Sequence, residues 1–157
     1  MKRRPEKEFR SMIRPTVTRK VYQRMKHIRH HLRGNLYEHS IKVAYLCYRC
    51  HRACRMRGDR TELVQGALLH DFYLYDPHAE KGYARHWVAH PRRALCNAQR
   101  YYGPLTAAQR DMIERHMFPV TPLPPRTPYG WVICLCDKLA AVHDLFGAAS
   151  IRKGPLL

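Results

Sequence analysis

Apolar residues recur along most of the chain at steps of three and four, the period of helices that bury one face. Between residues 17 and 32, Val21, Met25, Ile28 and Leu32 mark a short amphipathic helix with a cationic outer face, broken by Gly34-Asn35. A longer helix is predicted over residues 36–56, stopping at Gly58-Asp59. Its inward stripe is Leu36, His39, Val43, Leu46 or Cys47, Cys50 and Cys54. Thr61 or Asp59 is placed to cap a third helix, which turns Leu63, Val64, Ala67 and Leu68 inward and ends around His70-Asp71. Residues 72–84 read as a loop framed by Pro77 and Gly82. A fourth helix is expected from about His90 or Pro91 to Tyr102, with Pro91 in its first turn. Thr106 caps a fifth over residues 107–117, and a proline-rich loop leads to a last, most apolar helix over residues 129–146. The pattern predicts an all-α single domain, a bundle of six or seven helices.

Polar residues that interrupt the apolar stripes carry the candidate chemistry. His70 and Asp71 stand side by side at the end of an apolar segment, a nitrogen ligand next to a carboxylate. Adjacent helical side chains diverge by about 100°, so the pair needs partners from other helices to hold an ion. His39, His90, His116 and Asp137 are available. Asp137 lies within the apolar run from Trp131 to Val142, where an ionised carboxylate is costly to bury unless a cation or donors compensate it. His86 competes with His90: were the fourth helix to begin earlier, both would share one face. Lys138 either reaches solvent as a snorkelling side chain or meets a substrate phosphate.

The order His39 in Tyr-Glu-His-Ser, His70-Asp71, and Asp137 in Cys-Leu-Cys-Asp-Lys-Leu resembles the HD superfamily of metal-dependent phosphohydrolases, and the resemblance runs from about residue 30 to about residue 147. His90 in His-Pro-Arg-Arg-Ala and His116 in Glu-Arg-His-Met-Phe-Pro look like the two extra histidines of its two-metal branches. The resemblance implies an HD-domain helical bundle with a metal site in its core. His39, His70, Asp71 and Asp137 would hold a first ion, and Asp71 as a bridge with His90 and His116 a second. Asp71 and Lys138 are the candidate catalytic residues. The HD-GYP branch has Lys three residues after the motif Asp, where this chain has Leu74, and its Gly-Tyr-Pro signature is missing here, which argues against cyclic-dinucleotide hydrolysis of that kind. Imidazoles with carboxylates suit one or two divalent transition-metal ions, Fe, Mn, Co, Ni or Zn alike. The expected reaction is hydrolysis of a phosphate mono- or diester, with a nucleotide-like substrate in view. The alternative is a non-catalytic module of the same fold that binds a nucleotide or nucleic acid.

Charge adds a second theme. The chain of 157 residues has 29 Lys and Arg against 12 Asp and Glu, a net +17. Residues 1–35 hold 12 of those cations against Glu6 and Glu8, so +10 of the excess is N-terminal. Such a field attracts polyanions, phosphorylated substrates and nucleic acid nonspecifically. Residues 1–16, interrupted by Pro5 and Pro15, are expected to form a basic arm, residues 17–150 the helical domain and residues 151–157 a tail. No run approaches the ~20 apolar residues of a spanning helix, and the basic start has no apolar stretch behind it, so a cytoplasmic protein with reduced thiols is expected. Cys47-Tyr48-Arg49-Cys50-His51 matches a c-type haem attachment sequence, but haem attachment requires export, and both cysteines fall on the packing stripe. A structural zinc at Cys47, Cys50 and Cys54 is disfavoured for the same packing reason.

Overall fold

The computed structural model describes residues 5–30, 34–77 and 83–146. Among these, seven α-helices and no β-strand form the bundle: α1 (Pro5–Val17), α2 (Lys20–Gln23), α3 (Leu36–Ala53), α4 (Arg60–Leu69), α5 (Tyr83–Tyr102), α6 (Ala107–Arg115) and α7 (Pro128–Phe146). The expected all-α class therefore holds. α3 packs on α4 and α7, α4 on α6, and α6 on α7, while α5 closes against α6 and α4. No described helix is long and apolar enough to cross a membrane.

Local chemistry sets most boundaries. Asn35 caps α3 by accepting from Glu38 N, and Asp59 caps α4 by accepting from Thr61 N. Thr106 and Gln109 form a reciprocal capping box at the start of α6. Gly58, at φ +101°, makes the turn between α3 and α4. A Cβ there would lie 2.5 Å from the Tyr129 hydroxyl, so the turn also admits α7 close to the backbone. Tyr129 donates to Asp59 O at 3.1 Å across that contact.

Three elements differ from the sequence expectation. Residues 5–17 are helical rather than an arm. Phe9 and Ile13 of α1 are buried, and Phe9 packs edge-on against Tyr45 at 5.1 Å and tilted against Tyr48 at 5.4 Å. Pro5 takes the first position, where no N–H is needed, and Pro15 falls in the last turn, so neither blocks the helix. Tyr48 donates to Pro5 O at 2.9 Å, and Glu8 pairs with Arg52 and Arg60.

The helix expected over residues 17–32 is short α2 followed by a 3₁₀ turn, Arg24–His27, and then extended backbone at Ile28. The buried positions are Tyr22, Met25 and Ile28, spaced by three, which suits the three-residue turn of 3₁₀ geometry. Leu32 lies outside the described residues. α5 starts at Tyr83, seven residues before the expected His90, so Pro91 is inside the helix rather than at its first turn. The loop after Asp71 is correspondingly shorter. Its Phe72 is fully buried, stacked at 5.8 Å on Tyr22 and edge-on to Tyr101 and Tyr102, so this aromatic plugs the core.

Candidate metal centre

The end of α4 delivers the central pair. Leu69 is its last helical residue and His70 its C-cap, so the chain leaves the helix at Asp71. His70 keeps helical backbone angles as the C-cap, and its Nε2 lies 3.4 Å from Asp71 Oδ2. Asn97 of α5 fixes the segment that follows by donating to the carbonyls of Phe72 and Tyr73, both at 3.0 Å. From α3, His39 Nε2 comes within 3.0 Å of Asp137 Oδ1 on α7 and 4.0 Å of Asp71 Oδ2. Asp137 Oδ1 is also 3.4 Å from His70 Nε2. From α5 and the C-cap of α6, His90 and His116 approach the other oxygen: their Nε2 atoms lie 3.2 and 3.3 Å from Asp71 Oδ1 and 3.1 Å from each other.

These atoms form two overlapping groups, His39, His70, Asp71 and Asp137, and Asp71, His90 and His116, each compact enough to surround one ion. All six residues sought from the sequence fall into them. His86 does not: its Nδ1 is 2.6 Å from the Tyr75 hydroxyl, and its ring stacks on His90 at 4.7 Å. Because α5 starts early, His86 and His90 do share a face, with His86 one turn back supporting the ring that reaches the cluster.

Two observations test whether a metal fits. The first is spacing: ions bound at about 2.0–2.2 Å place neighbouring ligand atoms roughly 2.9–3.5 Å apart, and the separations of 3.0, 3.1, 3.2, 3.3 and 3.4 Å fall in that range. The second is the disposition of protons. His70 Nδ1 faces Ala67 O at 2.7 Å, His90 Nδ1 faces His86 O at 3.0 Å, and His116 Nδ1 faces Ile113 O at 2.8 Å. A carbonyl only accepts, so each Nδ1 is a donor and each ring turns its Nε2 into the site. His90 and His116 thus bring their two Nε2 atoms within 3.1 Å of each other. His70 Nε2 and Asp71 Oδ1 are buried without a hydrogen-bond partner. Buried imidazole nitrogens converging on two carboxylates are the complement of a cation.

The charge balance agrees. Burial opposes ionisation of Asp71 and Asp137, but the surrounding imidazoles outweigh it and hold both carboxyls well below the usual range. Burial likewise opposes protonation of His39, and Asp137 and Asp144 overcome it, so its pKa stands at about 9. For His116 burial wins and the pKa is lowered. At neutral pH His39 therefore holds a proton in the position a metal would take.

Asp144 is the residue the sequence reading missed. Its Oδ2 faces His39 Nδ1 at 3.5 Å and its Oδ1 is ion-paired with Lys42. The signal was present as register: Asp144 is seven residues beyond Asp137 on α7 and Lys42 three beyond His39 on α3, so the second pair repeats the first one or two turns along. A carboxylate behind a ligating imidazole fixes its tautomer and raises its basicity. Asp144→Asn is expected to reduce metal affinity about 10–100-fold without loss of helix, checked by titrating metal into protein stripped of it.

A cavity of about 420 Å³ opens over the cluster. Asp71, Asp137 and His90 reach its floor, Tyr73, His86 and Trp87 line it, and Arg29 and Lys138 bring positive charge. Lys138 Nζ donates to His116 O at 2.9 Å and Cys134 O at 3.2 Å, which holds the ammonium at the cavity edge rather than free in solvent. The cysteine motif is not part of the site. Cys47 is buried, Cys50 half-buried and Cys54 exposed, and none joins a ligand cluster among the described residues. His51 is a structural acceptor for Arg60 Nε at 3.2 Å.

The family model for the HD domain matches residues 36–142, more than two thirds of the chain and all six cluster residues. The chain belongs to the HD-domain family. No curated protein and no solved structure gives a significant match. In this HD domain the ordered set His39, His70-Asp71 and Asp137 is drawn from three different helical elements and buried together, and the cluster fits divalent metal.

Proposed function

We propose that this HD-domain protein is a metal-dependent phosphohydrolase that cleaves a phosphate ester with water activated in the His/Asp cluster. The observation that carries the reading is Asp71: one oxygen faces His39 and His70, the other faces His90 and His116, so a single carboxylate is shared by two ligand groups. Divalent ions held by those groups would supply hydroxide near neutral pH and neutralise charge on the phosphoryl oxygens. The chain's own residues do the positioning. Asp71 ties the two groups together, Asp144 orients His39, and the carbonyls of Ala67, His86 and Ile113 hold three imidazoles in one tautomer. Lys138 and Arg29 at the cavity edge meet the phosphate of an incoming substrate, and the walls formed by Tyr73, His86 and Trp87 suit a planar group such as a nucleotide base.

Metal analysis of protein purified without chelator, followed by a panel of phosphate mono- and diesters that includes nucleotides, tests the reading. The expected outcome is bound transition metal and turnover that a chelator removes and added metal restores. Turnover undiminished in protein stripped of metal refutes the mechanism.

A further inference from the structure

We infer that the outer face of α7 is a homodimer interface, on which a second copy of this chain packs helix against helix. α7 is inverted relative to an ordinary surface helix. Its charged residues Asp137 and Asp144 point into the protein, while Trp131, Leu135, Leu139 and Val142 point out, 50%, 58%, 53% and 53% exposed. Ile133, Cys136 and Ala140 pack in the core, so the helix is apolar on both sides. A helix apolar all round is stable in water only when both sides are covered.

The outward positions follow steps of four, four and three, the spacing of a helix-packing seam, over about 16 Å. Lys138, next to the seam, turns its ammonium back to the carbonyls of His116 and Cys134 and leaves the stripe uncharged. Phe118 extends the patch through its ring contact with Trp131 at 5.7 Å.

Three considerations select a second copy as the occupant. A half-exposed tryptophan leaves about 100 Å² open, and with Leu135, Leu139 and Val142 the patch reaches roughly 400 Å², above what scattered surface hydrophobics present. Two such faces together bury about 800 Å² before Phe118 and the rim are counted, and with these the contact approaches the ~1,000 Å² of a specific interface. The patch is also a neutral area on a molecule of net charge +17, so an acidic partner would find no cation within it, whereas a second copy meets apolar side chains with the same apolar side chains about a two-fold axis.

Analytical ultracentrifugation of the full chain tests the inference, independently of any catalytic assignment. The wild type is expected to sediment as a dimer. Leu135→Glu/Leu139→Glu is expected to sediment as a monomer with unchanged helical circular dichroism, because both side chains lie outside the fold. Leu135→Ser/Leu139→Ser gives the same reading should the charged pair misfold. Val88→Glu, which alters an equally exposed valine on α5, is expected to leave the dimer intact. A wild type that is monomeric up to its solubility limit, or a dimer indifferent to both α7 variants, overturns the inference.

Discussion

Asp71→Asn is expected to abolish turnover, by at least about a hundredfold, and to strip most of the bound metal while leaving the helical signal unchanged. The substitution keeps the shape of the side chain and removes its charge. Asp71 is the one residue common to both ligand groups, so the loss falls on two sites at once. Its Oδ1 has no hydrogen-bond donor, and an amide placed there adds N–H groups that face imidazole lone pairs instead of helping to hold a cation. The fold does not depend on the carboxylate in the same way, because Leu63, Val64, Ala67 and Leu68 of α4 are fully buried by other means. The measurement is elemental analysis and phosphatase activity on one preparation, with circular dichroism as the folding control. Full activity in a folded variant excludes the shared-carboxylate mechanism.

Phe9→Ala is expected to destabilise the protein by about 3–5 kcal/mol, and deletion of residues 1–16 to prevent stable folding. Phe9 is fully buried against Tyr45 and Tyr48 of α3, so truncating it leaves a cavity under a helix that sequence reading takes for a basic arm. Removing α1 also strips Arg52 and Arg60 of their pairs with Glu8 and exposes the buried ring of Tyr48. Chemical denaturation of the wild type and the variant gives the difference, and equal midpoints would show that α1 merely rests on the surface. The cationic face of α1 is a separate matter. Lys7, Arg10 and Arg14 are exposed, so any role in attracting polyanions is tested by neutralising them to Gln, which leaves the buried side in place. Binding to nucleic acid should then weaken and depend less on salt, since fewer counterions are released. An unchanged salt slope would assign the charge to surface composition alone.

The sequence by itself determined the bundle and the members of the site. Steps of three and four, with caps at Asp59 and Thr106, are local properties, and local hydrogen bonds realise them whatever surrounds them. Asp137 was legible because a carboxylate in an apolar run has to be compensated wherever the helix packs. Tertiary structure decided what depends on partners distant in the chain. α1 became a core helix because it packs along α4 and Phe9 found a second face of α3, formed by Tyr45 and Tyr48, that the stripe through His39 and Cys47 did not reveal. The start of α5 moved ahead of Pro91 because the absent N–H of one proline removes a single bond, which packing outweighs. The division of Asp71 between two histidine groups was decided last. It depends on which oxygen of one carboxylate faces which helix, a question of distances near 3 Å that no spacing along a chain encodes.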